Sequence, residues 1–350
     1  MNPNKILSGL QKLQIKLQSF DKIESEDLLL DIVNENLWFI EANVLSSIHG
    51  IASMLKTKDL QKALDESYSE TSNKIGLILA GNIPAVGFQD ILYVVLTGGK
   101  AEVKLSSKDS LLIKYLVNEL ISIDIGFASL INFTEKFNLD ELDAVLATGS
   151  NNTSRYFEQY FKKVAHVIRK NRTSVAVLNG KESLDDLNEL AMDICQYFGL
   201  GCRNVTKLFV PDEYDMTPLL KIIEEKHNYL SMHSKYNNNY DYYKAVFLVN
   251  SKVHLDNGVL LAQKEESFFS PVGVLYYQEY NELSEVTKLL KEHSEEIQVV
   301  VSNDKTIFTR TVAFGQAQAP GLFDFPDGEN ILEFLNNINH KVNFQRNILK

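Results

Sequence analysis

The chain has 350 residues, enough for one large or two medium domains, and 45% of them are hydrophobic, enough for a substantial core. A formal net charge of −11, with acids and bases mixed along the chain, excludes a basic nucleic-acid surface, and no run of apolar residues is long enough for a membrane span. Two cysteines suit a reducing cytoplasm, and Cys195 and Cys202, without nearby histidines, fit no common zinc spacing, so no metal site is expected.

The opening stretch MNPNKILSGLQKLQIKLQ alternates polar and apolar residues and lacks the core of a secretory leader. Residues 1–70 read as helices, with apolar positions three or four apart in LLLDIVNENLWFIEANVLSSIHGIASML. From about residue 75, short apolar strands alternate with helical patterns. The strands are IGLILA (75–80), AEVKL (101–105), DAVLAT (143–148) and SVAVL (174–178). Between them lie helical stretches such as FQDILYVVLTG and DSLLIKYLVNELISI. The alternation continues through TKLFVP, AVFLVN, VGVLYY and IQVVVS, with YNNNYDYY (236–243) read as a polar loop. That pattern predicts an α/β protein with parallel sheets, in two lobes.

Three loops follow predicted strands and open predicted helices. In LILAGNIPAVGFQDIL, Gly81 and Pro84 make a turn and Asn82 offers an amide at its edge. In AEVKLSSKDSLL, Lys104 ends the strand, and Ser106 and Asp109 have the spacing of a capping box. In VLATGSNNTSRYF, Thr148, Gly149 and Ser150 lie where the strand turns into the helix. Helix N-termini with small-residue entries favour anions, and ligands of open α/β sheets collect beyond the strands' carboxyl ends. Neither a G-x-G-x-x-G fingerprint nor a P-loop is present. One further stretch stands out, YFGLGCRNVTKLFV, which sets Cys202 at a helix-to-strand junction, whereas Cys195 lies on the helical pattern LNELAMDICQYF as a buried small hydrophobe.

Taken in order, ENLWF, GNIPAVG, VKLSSKD, ATGS, GCRNVTKLFVP and FGQAQAPGLFDFPDG resemble the acyl-CoA reductases related to the fatty-acid reductase of luminous bacteria, a branch of the aldehyde dehydrogenase superfamily. The resemblance runs over most of residues 30–330. It implies an aldehyde-dehydrogenase-like fold with a helical segment over 1–70, a Rossmann-type cofactor lobe over 71–188 and an α/β catalytic lobe over 189–325. The last segment, 326–350, returns to the cofactor lobe or to a partner subunit. It also implies roles. Cys202 is the nucleophile between the lobes, and Asn82-Ile83-Pro84 is the turn that supplies an oxyanion-hole amide. Lys104 and Ser106 lie by the adenosine ribose. Thr148, Gly149 and Ser150 lie beside the pyrophosphate and nicotinamide, and Glu266 in EESFFSPVG is the ribose-binding glutamate.

The departures carry information. The superfamily's E-L-G-G-K base motif reads VLNGK here, so Val177 stands where the glutamate would be and cannot activate water. Leu200 replaces the glutamine that often precedes the thiol by two residues. The implied activity is reduction of an acyl-CoA, or an acyl group on another carrier, to an aldehyde through a cysteine thioester. NADPH is expected over NADH, because no acid in VKLSSK repels a 2′-phosphate. The alternatives are a CoA-acylating dehydrogenase working in the oxidative direction, and a non-catalytic scaffold subunit of a reductase complex. Implied partners are further copies of the chain or an acyl-activating enzyme.

Overall fold

Four helices open the chain, and the first shows why they pack. In α1 (Pro3–Gln18) the spacing of Ile6, Leu10, Leu13 and Leu17 puts all four on one stripe, and all four are buried. Proline sits in its first turn and the Asn2 side chain accepts from the Lys5 N–H at 2.9 Å. Helices α2 (Glu26–Glu35), α3 (Glu41–Met54) and α4 (Thr57–Ser67) follow. The protein is described by a computed structural model over residues 1–21, 25–70, 73–149 and 151–338.

The chain divides into two units, Met1–Asn171 with Pro320–Lys350, and Arg172–Ala319. In the first, the helices lead into β1 (Lys74–Ile78), α5 (Phe88–Leu96), β2 (Lys100–Lys104), α6 (Ser110–Ile123), β3 (Ile131–Phe133), β4 (Ala144–Thr148), α7 (Asn151–Tyr160) and β5 (Ala165–Arg169). The strands form one parallel sheet in the order β3-β2-β1-β4-β5. The chain builds outward from β1 on one side, then returns to lay β4 on the other. The carboxyl ends of β1 and β4 therefore flank the point where the winding reverses, the usual ligand crevice of such sheets. Leu322, Ile331, Leu332 and Leu335 from the end of the chain join the same apolar core, and the Tyr93 hydroxyl donates to the Leu322 carbonyl at 2.9 Å.

The second unit runs β6 (Thr173–Val177), α8 (Leu184–Cys195), β7 (Val205–Pro211), α9 (Thr217–Lys226), α10 (Tyr229–Met232), α11 (Ser234–Val249), β8 (Leu255–Asp256), β9 (Leu261–Lys264), β10 (Val274–Tyr280), α12 (Leu283–Glu292), β11 (Ile297–Val301) and β12 (Thr311–Val312). Its sheet has the order β12-β11-β6-β7-β10-β9-β8 and is parallel except at the β8–β9 edge.

Three expectations need correction. The boundary falls at 171/172 rather than 188/189, because SVAVL, as β6, pairs with β7 and β11 and not with β5. The returning segment begins at Pro320 rather than at 326. The third concerns α11: YNNNYDYY is no loop and AVFLVN no strand, since all but Asn250, the C-cap, lie within this one helix. Tyr236, Tyr240 and Phe247, at helical spacing, are its buried residues, so three aromatics carry an amphipathic stripe through asparagine-rich text.

One buried ion pair ties the first unit together. Both guanidinium ends of Arg169, at the end of β5, meet the Asp90 carboxylate of α5 at 2.8 Å. Both side chains are almost wholly buried. Asp90→Ala should leave that charge uncompensated and destabilise the protein by about 3–5 kcal/mol, read as a shifted urea midpoint. Glu141→Ala, which breaks the exposed pair with Lys74, should move the midpoint far less. Equal shifts would sink this account of the pair.

Candidate functional site

Each unit presents its own group of candidate residues. In the second, α8 starts at a reciprocal capping box between Ser183 and Asp186 and ends at Cys195. Beyond it, Tyr197, Phe198 and Gly199 all take left-handed backbone angles, with φ of 53°, 59° and 74°. Two side-chain-bearing residues in that region are unfavourable by about 1–2 kcal/mol each. Asn204, fully buried, offsets this. Its amide donates to the carbonyls of Gln196 at 2.7 Å, Asp193 at 3.1 Å and Ile194 at 3.4 Å. Its side-chain oxygen accepts from the Gly201 N–H at 2.8 Å, and its own N–H donates to the Gly201 carbonyl at 3.0 Å. Asn204 thus caps the helix behind it as well as closing the turn 201–204.

Cys202 sits on that turn and is half-buried, while its carbonyl accepts from the Ser174 hydroxyl at 3.0 Å. Cys195 differs: complete burial pushes its thiol up, away from the reactive thiolate. Arg203 donates to the Ala317 carbonyl at 3.4 Å, which brings the FGQAQAPG stretch to the turn. Asp193 of α8 holds the same stretch, accepting from the N–H groups of Gly315 at 2.7 Å and Ala317 at 3.1 Å. Burial, with Glu189 nearby, pushes its carboxyl up to about 7 against those two bonds.

Further along β7, Lys207 is fully buried, and burial pulls its ammonium down to about 8 despite Glu266 and Glu265. It donates to the Glu266 carbonyl at 2.6 Å, leaving the Glu266 side chain exposed. Val177 ends β6 inside an apolar cluster with Phe209, Phe268 and Val300, so position 177 carries core packing and no base.

In the first unit the candidates line the carboxyl edge of the sheet. Asn82 is exposed on the turn after β1. Behind it, Ala85 takes a left-handed φ of 55°, and its N–H donates to the Asp109 carboxyl at 2.8 Å. The Ser47 hydroxyl holds the Pro84 carbonyl at 2.6 Å. Gly81 is required by contact, since an added Cβ would lie 2.5 Å from the Ser106 hydroxyl. That close approach brings the Asn82 and Ser106 loops side by side.

The capping box expected from Ser106 and Asp109 is absent. Asp109 is itself the N-cap residue of α6, and its carboxyl reaches across to Ala85 instead. The open N–H groups of α6 are taken by Glu35, which accepts from Ser110 at 3.0 Å and Leu111 at 3.1 Å. The neighbouring Asn36 amide donates to the carbonyls of Lys108 at 3.1 Å and Gly81 at 3.4 Å. The start of α6 is thus already occupied by a carboxylate and closed to a further anion. Lys104 is exposed at the end of β2 and Ser106 half-buried just after it. Thr148 ends β4, and the Gly149 N–H donates to the Arg169 carbonyl at 3.2 Å. Ser150 lies outside the described residues.

Sequence reasoning missed Asp193 and Lys207. The signal was parity. Asp193 stands among Leu187, Leu190 and Ile194 on the buried face of α8, and Lys207 shares a strand face with Val205 and Phe209. Among the described residues, no group of three His, Cys, Asp or Glu could hold a metal ion, and no helix is long and apolar enough to cross a membrane.

The fold is that of the aldehyde dehydrogenases. An indole-3-acetaldehyde dehydrogenase structure matches with a TM-score of 0.70 at 13% identity, covering 96% of this chain and 83% of that one. Aldehyde dehydrogenase 21 of Physcomitrella patens matches with a TM-score of 0.68 at 11% identity, covering 97% and 84%. An aldehyde dehydrogenase of Bacillus cereus matches with a TM-score of 0.64 at 15% identity, covering 89% and 76%. No curated protein matches by sequence. Within this fold the chain belongs to the acyl-CoA reductase (LuxC) family, whose model matches residues 36–315. It is therefore an oxidoreductase of the acyl-CoA reductase family.

Asp193 generates a pH prediction. Its folded value is raised from 3.8 to about 7, so the folded state holds more protons than the unfolded one between those values. Its contribution to stability therefore falls as pH rises through that window and is level above it. Denaturant unfolding of the native protein and Asp193→Asn, from about pH 5 to 8, should show a stability difference that changes up to pH 7 and then holds constant. A difference independent of pH would contradict the assignment.

Proposed function

We propose that the protein reduces an acyl-CoA thioester to an aldehyde with NADPH, through an acyl group carried on Cys202. The observation that carries the reading is the contrast between the two cysteines: within the region matched by the acyl-CoA reductase family, one thiol is sealed in the core and the other sits half-buried on a turn clamped by Asn204 and Ser174. Cys202 attacks the thioester carbonyl as thiolate. The family resemblance assigns the oxyanion donor to the Asn82 amide, and loss of one such donor typically costs about 10²- to 10³-fold in rate. Collapse expels the coenzyme A thiolate and leaves the acyl group on the cysteine sulfur.

Two of the similar structures were solved with NAD+, which supports a nicotinamide dinucleotide here. The residues fit one. Beyond the carboxyl end of β4, Gly149 lets the chain pass close against α7, where an added Cβ would lie 3.1 Å from both Phe157 and Thr153. Thr148 and Gly149 would lie beside the pyrophosphate and nicotinamide, Lys104 and Ser106 by the adenosine ribose, and Glu266 would bind a ribose. When bound, the dinucleotide supplies the hydride that converts the acyl group to aldehyde. With an apolar core residue at Val177, water has no base there, so the acyl group waits for hydride or for a returning thiol.

Mass spectrometry after mixing with acyl-CoA alone should show one acyl adduct, on the peptide containing Cys202. Cys202→Ala should lose adduct and reduction together, and Cys195→Ala should keep most of both. The adduct should decay slowly in buffer and faster with added coenzyme A. An adduct on Cys195, or rapid decay in water alone, would overturn the mechanism.

The choice of NADPH rests on exposed Lys104 and the absence of an acid beside it in VKLSSK. Lys104→Glu should raise KM for NADPH more than for NADH. A native preference for NADH in steady-state kinetics would refute the assignment of the cofactor without touching that of the nucleophile.

A further inference from the structure

Strand β7 carries a lysine where its pattern calls for a core residue. Val205, Lys207 and Phe209 share one face by the period of two, and all three are buried. A buried ammonium is costly unless paired and hydrogen-bonded, and an aliphatic residue would fill the face without that cost. Lys207 donates to the Glu266 carbonyl at 2.6 Å and to the side-chain oxygen of Gln278 at 2.7 Å. Its ammonium lies 4.9 Å and 5.0 Å from the ring centres of Phe268 and Phe209, within cation–π range of both. One residue earlier, the Thr206 hydroxyl donates to the Phe268 carbonyl at 2.7 Å. Two consecutive side chains of β7 therefore hold two carbonyls, two residues apart, of the stretch 266–268. The exposed Glu266 carboxylate is left available to a ligand.

We infer that Lys207 is a positioning residue for Glu266, setting the backbone from which that carboxylate accepts hydrogen bonds from the vicinal hydroxyls of a dinucleotide ribose. A carboxylate that receives two hydroxyls must be held in orientation as well as in place, and a main-chain anchor on its own residue does this without using its oxygens. Lys207 takes no part in the attack of Cys202, so its loss separates cofactor affinity from acyl transfer. The inference rests on the reductase reading given above.

The test uses the full chain and measures dinucleotide Kd by titration calorimetry alongside acyl-adduct formation without dinucleotide. Lys207→Met keeps the length and removes the donor; Thr206→Val keeps the shape and removes the second tie. Each should weaken NADPH binding by about three- to tenfold, the order expected for one lost supporting hydrogen bond. The rate of acyl-adduct formation should stay within about twofold in both, because these hydrogen bonds run to 266–268 and to Gln278 and not to the turn 201–204. Glu266→Gln should weaken binding too, and combining it with Lys207→Met should add little, because the two act through one group. Lys207→Arg, which retains a donor, should recover part of the loss. If Lys207→Met fails to fold, Thr206→Val decides alone. Native Kd in Lys207→Met, or in Thr206→Val where Lys207→Met does not fold, or additive losses in the double variant, would overturn the role of Lys207 while the reductase reading stands. A native protein that forms the acyl adduct but binds no dinucleotide would overturn both.

Discussion

The buried amide of Asn204 is the interaction on which the second unit's chemistry depends. A helix that stops inside a protein leaves carbonyls without partners, and a chain that reverses at once cannot supply them from the next turn. Asn204 answers both needs, bonding the carbonyls of Asp193, Ile194 and Gln196 and the N–H of Gly201. The left-handed run at Tyr197, Phe198 and Gly199 is tolerated because this one side chain over-determines the turn that follows. Cys202 inherits its position from that arrangement.

The same economy recurs wherever a candidate residue stands on a loop. Asp193 binds two N–H groups of the FGQAQAPG stretch, Lys207 the carbonyl of Glu266, and Asp109 the N–H of Ala85. Glu35 and Asn36, adjacent in sequence, bind the start of α6 and the carbonyls of Lys108 and Gly81. In each case a buried or half-buried polar side chain is spent on main chain, so that a different residue nearby is left for chemistry. Loops held in this way behave as parts of the scaffold, which is what catalysis by orientation requires.

These supports also explain why ordered motifs were readable where single residues were not. GNIPAVG and VKLSSKD belong together because Gly81 and Ser106 touch, and ENLWF belongs with both because Glu35 and Asn36 bond across to them. GCRNVTKLFVP and FGQAQAPG are joined by Arg203, and Asp193 holds the second of them. Each motif is one side of a contact whose other side is another motif.

The sequence by itself determined the alternation of strands and helices from residue 75 onward, the separate helical opening, and the difference between Cys195 on a buried helix stripe and Cys202 at a junction. Those depend on periodicity and on local chain geometry, which neighbouring residues carry. Only the tertiary structure decided which sheet SVAVL joined, because its ladder partners β7 and β11 lie far along the chain. AVFLVN became helix because Tyr236 and Tyr240, upstream in asparagine-rich text, extend its apolar stripe and are buried with Phe247. The capping box at Ser106 was pre-empted by Glu35, 75 residues before the helix it caps. Burial of Asp193 and Lys207 followed from the same cause: a charged residue at an apolar position is satisfied only by partners that folding brings to it, and no local window of sequence contains them.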